Sequence, residues 1–438
     1  MIQTTIQTID LRGSQPTRAE LLHLIPRPVI DIAVASEAAE RLISEVRTEG
    51  EVALKRHAAA FDRVVDVRVR VDPAEIAAAV AALDPDVRNA LESSIDRVRT
   101  ASEAQLHAPV TTTLGPGAHV HQRWQPVDRV GLYVPGGKAA LSSSVVMNVV
   151  PAQVAGVPSI ALASPAQSEF GGRVHPTILG AAGLLGIDEV YTMGGASAIG
   201  ALAYGVPSLG LEPVDVVTGP GNIYVAAAKR LVRGVVGIDS EAGTTEILVI
   251  ADDSANPRYV AADLISQAEH DEAAASLLVT TSASFAEQVV TWLSELSATT
   301  PNSARVVQAL SGQQSAIVLV DDLAAAARFS NAYGPEHLEI QTADNDAVLA
   351  TITSAGAIFL GPYSPVSVGD YLAGANHVLP TGGQARFASG LGAYTFLRPQ
   401  QVIDYGRGAL EEVAAQVVAL SGAEALPAHG AAVTARFS

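Results

Sequence analysis

Val130-Gly-Leu-Tyr-Val-Pro-Gly-Gly137 is an apolar run that stops abruptly at small residues, and the same design recurs downstream. Ile160-Ala-Leu-Ala163 runs into Ser-Pro, Val190-Tyr-Thr-Met193 into Gly-Gly, and Val214-Asp-Val-Val217 into Thr-Gly-Pro-Gly-Asn. The starts lie 24 to 30 residues apart, with Ala-rich stretches of helical character between them. That spacing belongs to repeated βα units in a parallel sheet. A second series follows at Ile247-Leu-Val-Ile250, Ser276-Leu-Leu-Val279, Ile317-Val-Leu-Val320 and Ala357-Ile-Phe-Leu360. It predicts a second sheet, a duplicate of the first. The expected fold class is α/β, with two Rossmann-like parallel-sheet domains and small N- and C-terminal helical elements.

Outside these runs the signals are helical. Asp72-Pro-Ala-Glu75 joins an N-cap acid, a proline at the first helical position and a glutamate at the third. The spacing predicts a mostly helical segment to about residue 107. Asn256-Pro257 opens another helix by the same logic, carrying Gln267 and His270 near its end. The core is aliphatic: hydrophobic residues make up 48% of the chain and aromatics only 5%, the usage of buried parallel strands. The net charge of −18 repels phosphate backbones and anionic lipid, which argues against nucleic-acid and membrane partners. The opening residues, MIQTTIQTIDLRG, show no basic region followed by an apolar stretch, so a cytoplasmic protein is expected.

There is no cysteine. Thiolate metal ligands, catalytic thiols and disulfides are excluded, so any metal must be held by nitrogen and oxygen. Gln267 and His270, three apart on a helix, project to one side as metal ligands would. The alternative is a helix C-terminus whose histidine interacts with the dipole. Glu336-His337, in a Gly-Pro-Glu-His turn, is an acid/base couple or a polar pair on a surface turn. Asp370 and His377, in a small, polar stretch after an apolar strand, are candidate metal or substrate contacts, with Asp370 alternatively capping a helix. No Gly-rich loop carries the usual dinucleotide fingerprint, yet loops such as Gly219-Pro-Gly221 still offer backbone N–H groups to a phosphate.

At these residues the chain resembles the histidinol dehydrogenase family over essentially its whole length. The matching blocks include VGLYVPGG (130–137), SSVVMNVVPAQVAGV (143–157), TGPGNIYVAAAKR (218–230) and LISQAEHDE (264–272). NAYGPEHLEI (331–340), GPYSPVSVGDYLAGANHVLPT (361–381) and EALPAHGAAVT (424–434) complete the set, in the family's order. The resemblance implies oxidation of L-histidinol to L-histidine through L-histidinaldehyde, reducing two NAD⁺. It implies Zn²⁺ held by Gln267, His270, Asp370 and His429. It places the substrate on Thr245, Gln267, His270, His337, Asp370, Glu424 and His429, NAD⁺ on Tyr133, Ser197 and Asn222, and acid/base chemistry on Glu336 and His337. With no cysteine to carry the aldehyde, water must attack it, and Glu336 is the base expected to activate that water.

The resemblance also implies a homodimer in which Glu424 and His429 complete the partner's site. The expected division is an N-terminal arm (1–28), a first α/β domain with the zinc and acid/base residues (29–132 plus 251–391), a second with the NAD contacts (133–250), and a helical tail (392–438). Six residues depart from the family pattern. Thr245 replaces a usual Ser but keeps the hydroxyl. Ser197 stands where Gln is common. Lys138 with Leu141-Ser142 alters the loop after Gly137, and Ala431 replaces a frequent Asn. The rival expectations are a zinc hydrolase without nicotinamide and a histidinol-binding paralogue without redox function.

Overall fold

The computed structural model describes residues 6–27, 32–136, 140–241 and 243–437. Lys138 lies outside the described residues, as does Ala242. Along the chain come β1 (Gln7–Asp10), a block of helices, an antiparallel pair β2 (Val110–Gly115) and β3 (Ala118–Pro126), and then the two strand series. The first series is β4 (Arg129–Tyr133), β5 (Ser159–Ser164), β6 (Val190–Thr192), β7 (Val216–Thr218) and β8 (Gly237–Ile238). The second is β9 (Glu246–Ala251), β10 (Ala275–Thr280), β11 (Ala316–Leu319), β12 (His337–Gln341) and β13 (Ala357–Leu360). A last strand, β14 (Leu397–Tyr405), precedes two helices, Arg407–Ala423 and Pro427–Thr434.

The duplication holds at the level of strand order. The first series forms a five-stranded sheet, β6-β5-β4-β7-β8, and the second forms β11-β10-β9-β12-β13, extended by β1 at its edge. Each is third-second-first-fourth-fifth in its own chain order, and every pairing is parallel. All residues of β9 and β10 are buried, as strands covered by helices on both faces require.

Three expectations need correction. Residues 32–103 were assigned with the zinc-side domain, but their helices cover the five-stranded sheet. Ile32–Glu49 packs on Gly195–Tyr204 and Ile223–Val232, Pro73–Ala81 on Pro176–Leu184, and Pro85–Glu103 on Ser142–Val154. The boundaries at 132/133 and 250/251 also fall inside single strands' neighbourhoods: β4 belongs wholly to the five-stranded sheet and β9 wholly to the six-stranded one. Second, residues 7–10 of the expected arm are the edge strand β1, in register with β11 from Gln7–Ala316 to Asp10–Leu319. Third, the tail begins with a strand. β14 pairs antiparallel with β3 in a separate three-stranded sheet, where a helical tail was expected.

The helix starts follow their sequence signals. The Asp72 carboxylate accepts from Ala74 N at 3.0 Å, and the Asn256 side chain accepts from Arg258 N at 3.0 Å ahead of the helix Pro257–Ala268. No described helix is long and apolar enough to cross a membrane.

Candidate active site

The two sheets present opposite ends to one another. The carboxyl ends of β4 and β7 flank the point where strand order reverses, the usual ligand site in open α/β sheets. Residues 243–245 lead into the amino end of β9, which lies beside that of β12 in the parallel pair. Polar contacts tie the halves, among them Ser144 Oγ at 3.1 Å from His377 Nε2, Asn376 Nδ2 donating to Met147 O at 2.7 Å and Ser94 Oγ donating to Tyr371 O at 2.7 Å.

On the first edge, Tyr133 ends β4 and its hydroxyl accepts from Gly195 N at 3.1 Å. Gly219 follows β7 with φ +120°, and a Cβ there would lie 1.9 Å from the Tyr133 carbonyl oxygen. Only glycine lets this loop close on β4. Beneath it Lys229 is buried, donating to Gly219 O at 3.0 Å and pairing with Asp239. Asn222 N-caps the helix Ile223–Val232, accepting from Tyr224 N at 3.0 Å and Val225 N at 3.2 Å. Ser197 is 3% exposed and its hydroxyl is engaged by His57 Nδ1 at 2.8 Å, while His57 Nε2 meets Glu45 at 2.8 Å. The position where Gln is common is thus occupied by a serine backed by a histidine from the helical block.

On the second edge, Glu336 and His337 stand at the start of β12 beside Thr245 and Glu246 at the start of β9. The Glu246 N–H donates to Glu336 Oε2 at 2.9 Å, and the Glu246 carbonyl lies 3.2 Å from His337 Nδ1. A carbonyl only accepts, so Nδ1 carries the proton and Nε2 of the neutral ring is left as a base. Burial pushes the Glu336 carboxyl up to about 7, against the favourable hydrogen bonds from Thr245 and Glu246 N–H. Burial also pulls the His337 imidazole below its ordinary value, so it is neutral at neutral pH. A carboxyl and an imidazole tuned toward neutrality in one cleft are suited to proton transfer.

Gln267 is buried beside them. Its Nε2 donates to Thr245 Oγ1 at 2.6 Å, and that hydroxyl donates on to Glu336 Oε2 at 2.5 Å. Its oxygen has no hydrogen-bond partner. His270 does not sit on the helix with it; the helix ends at Ala268 and Glu269 is its C-cap. His270 Nδ1 lies 3.1 Å from Ser266 O, so its Nε2 faces outward as a free lone pair, the tautomer a metal-binding histidine takes. Asp370 lies inside the short helix Val366–Tyr371 rather than capping it. Its carboxylate acts electrostatically on both Glu336 and His337, as His270 does. An orphaned buried amide oxygen, an imidazole and a carboxylate fit a zinc ion in the chemistry of the donors.

His377 has both ring nitrogens engaged, Nδ1 at 2.9 Å from Asp370 O and Nε2 on Ser144, so it braces Asp370. Glu424 and His429 are exposed on the C-terminal helices, which pack on one another. Among the described residues no three His, Asp or Glu side chains gather as a metal site within one chain, so His429 is not brought to His270 and Asp370. Missed from sequence were Arg27, Glu246 and Tyr333, although an acid opening the apolar run Glu246-Ile-Leu-Val-Ile250 was a readable signal.

Comparison with known proteins places this geometry. The family model described as histidinol dehydrogenase matches residues 25–437. A histidinol dehydrogenase of Leifsonia xyli subsp. xyli is 70% identical over 432 residues, covering 99% of each chain. One from Thermobifida fusca is 55% identical, covering 100% of this chain and 98% of its own. The crystal structure of histidinol dehydrogenase from Elizabethkingia anophelis superposes with a TM-score of 0.92 at 34% identity, covering 99% of this chain and 98% of that one. The chain belongs to the histidinol dehydrogenase family.

Proposed function

We propose that this protein oxidises L-histidinol to L-histidine through L-histidinaldehyde, reducing two NAD⁺ in turn, with one zinc ion per subunit. The observation that carries this is the joint suspension of Glu336 and His337 on the backbone N–H and carbonyl of Glu246, with the unpartnered Gln267 oxygen alongside.

Gln267, His270 and Asp370 would hold zinc, with His429 from the partner subunit of a homodimer. When bound, zinc would orient the substrate and NAD⁺ would accept hydride. His337 Nε2 takes the hydroxyl proton as hydride leaves the alcohol carbon, giving the aldehyde. Glu336, in its ionised form, takes a proton from water as that water adds to the aldehyde carbonyl, whose oxygen takes back the proton held by His337, giving the hydrate. His337 removes a proton from the resulting hydrate as the second hydride leaves, giving the acid. The sum consumes one water and two NAD⁺ and releases two NADH and two protons, which leave Glu336 and His337 for solvent. Tyr133, Ser197 and Asn222 are assigned to NAD⁺, with Asn222 using the amide nitrogen that its capping oxygen leaves free. Thr245, through its hydroxyl, and Glu424, from the partner, would complete the substrate contacts.

The dimer reading is supported by the tail. Leu420 is 66% exposed and Leu426 45% exposed on helices that meet only each other closely. An apolar arm of this kind calls for cover from another surface.

Purified protein given L-histidinol and NAD⁺ should form two NADH per L-histidine. No NADH, with or without added zinc, sinks the proposal. A hydrolase would turn over without nicotinamide, and a binding paralogue would hold histidinol without turnover.

A further inference from the structure

Glu246 holds the acid/base pair by its backbone, and its own side chain is held in turn. Arg27 Nη1 donates to Glu246 Oε2 at 2.6 Å, and the Tyr333 hydroxyl donates to the same oxygen at 3.2 Å. The second nitrogen of Arg27 donates to the Tyr333 carbonyl. The guanidinium carbon sits 4.1 Å from the centre of the Tyr333 ring. Tyr333 ends the helix Leu323–Tyr333, three residues before Glu336. Arg27 therefore clamps both sides of the site: the first residue of β9, and the turn that delivers Glu336 and His337.

We infer that Arg27 is a positioning residue for the proton-transfer pair, acting through the Glu246 side chain and the Tyr333 carbonyl to fix the Glu246 backbone, whose N–H holds Glu336 and whose carbonyl holds His337. This rests on the acid/base roles proposed above. The chemistry favours arginine specifically. A planar guanidinium serves two acceptors at once and stacks on a ring, whereas a lysine ammonium is a single point charge. The pair is also built for rigidity. Glu246 is almost fully buried, so its carboxylate needs the cation, and the cation is only partly exposed. If the clamp opens, the Glu246 backbone is free to shift and both catalytic side chains drift with it. Neither the zinc-binding donors nor the proposed cofactor contacts touch Arg27.

The test uses the full-length, zinc-loaded enzyme. In Arg27→Met, kcat should fall by about 100-fold, the loss expected from misplacement on the order of 1 Å, while KM for L-histidinol and NAD⁺ stays within about threefold. Arg27→Lys should recover only a small part of that loss. The double variant Arg27→Met/Glu246→Gln should be no slower than the worse single variant, because the two residues act as one unit. Wild-type kcat in a folded Arg27→Met protein overturns the inference, and so does a loss carried wholly by KM. Should Arg27→Met fail to fold, Tyr333→Phe decides: it removes only the hydroxyl contact, and its kcat should fall several-fold at unchanged KM, with no change overturning the inference. If wild-type protein itself does not oxidise histidinol, the proposed function has failed, and that is read separately from the variants.

Discussion

Gln267 donates its side-chain amide to the Thr245 hydroxyl at 2.6 Å while its own carbonyl oxygen lies buried without a partner. A buried acceptor left unsatisfied costs about 1–3 kcal/mol, which a bound cation would remove. Gln267→Leu deletes the orphan and one hydrogen bond together. The metal-free variant should therefore stay within about 1 kcal/mol of wild type, while zinc affinity falls by about tenfold or more. Thermal melts with and without zinc measure both. An equal zinc-induced rise in Tm for both proteins would remove Gln267 from the ligand set.

Glu336 gives a prediction about pH. Burial holds its carboxyl at about 7 in the folded protein, against 4.5 as its ordinary value. The folded state keeps this proton where the unfolded state has lost it. Its contribution to stability is thus full below pH 4.5 and is lost as pH rises through about 7. Metal-free Glu336→Gln should gain on wild type across that window by on the order of 2 kcal/mol and hold the gain above it. Denaturant melts from pH 4.5 to 8 check the sign, and a difference that shrinks with pH contradicts the buried state of the carboxyl.

The two oxidations should separate by residue. Glu336→Gln should slow conversion of L-histidinaldehyde to L-histidine by about 100-fold or more, with the alcohol step much less affected. His337→Asn should slow the alcohol step by about 100-fold or more, since it removes the base for the hydroxyl proton. Single-turnover assays started from each substrate give the two rates. Equal losses in both halves for Glu336→Gln would contradict its assignment to water.

Mixing tests the shared site. His429→Ala and Glu336→Gln chains, each inactive alone, should regain activity when subunits are exchanged, because one of the two sites in a heterodimer is then intact. Exchange proven by mass spectrometry without recovered activity would argue that each chain completes its own site.

Ser197 is not a simple truncation of glutamine. Its hydroxyl is buried against His57, which is itself held by Glu45. Ser197→Gln must displace that imidazole and should destabilise the protein by about 1–3 kcal/mol through overpacking, with no improvement in KM for NAD⁺. A stable variant with tighter NAD⁺ binding would show that the site retains room for the longer side chain.

How much of this was legible varied by element. The strand series could be read because buried parallel strands are continuous apolar runs, and Tyr133, Thr218 and His337 lie at their ends. Helix starts at Pro73 and Pro257 were legible from local capping chemistry. The sheet covered by the helices of 32–103 was not, since an amphipathic stripe says that a helix packs and not on what. β1 and β14 were missed because edge strands need little apolar alternation. His270 lay one residue beyond the C-cap, within the uncertainty of any helix end. The Arg27–Glu246 pair, 219 residues apart in sequence, has no local signal at all.

The edge position of β1 has a consequence for synthesis. Residues 7–10 leave the ribosome well before their hydrogen-bonding partner, Ala316–Leu319, which is made about 300 residues later. At roughly 5–20 residues per second the opening segment waits tens of seconds before it has anywhere to dock. During that interval the strands of the five-stranded sheet and the helices of 32–103 are already made, while Val378, Leu391, Ala393 and Phe396, which finish its core, are not. Birth of this protein is therefore a two-stage event, in which residues 7–10, and Arg27 with them, are made early and find their place late.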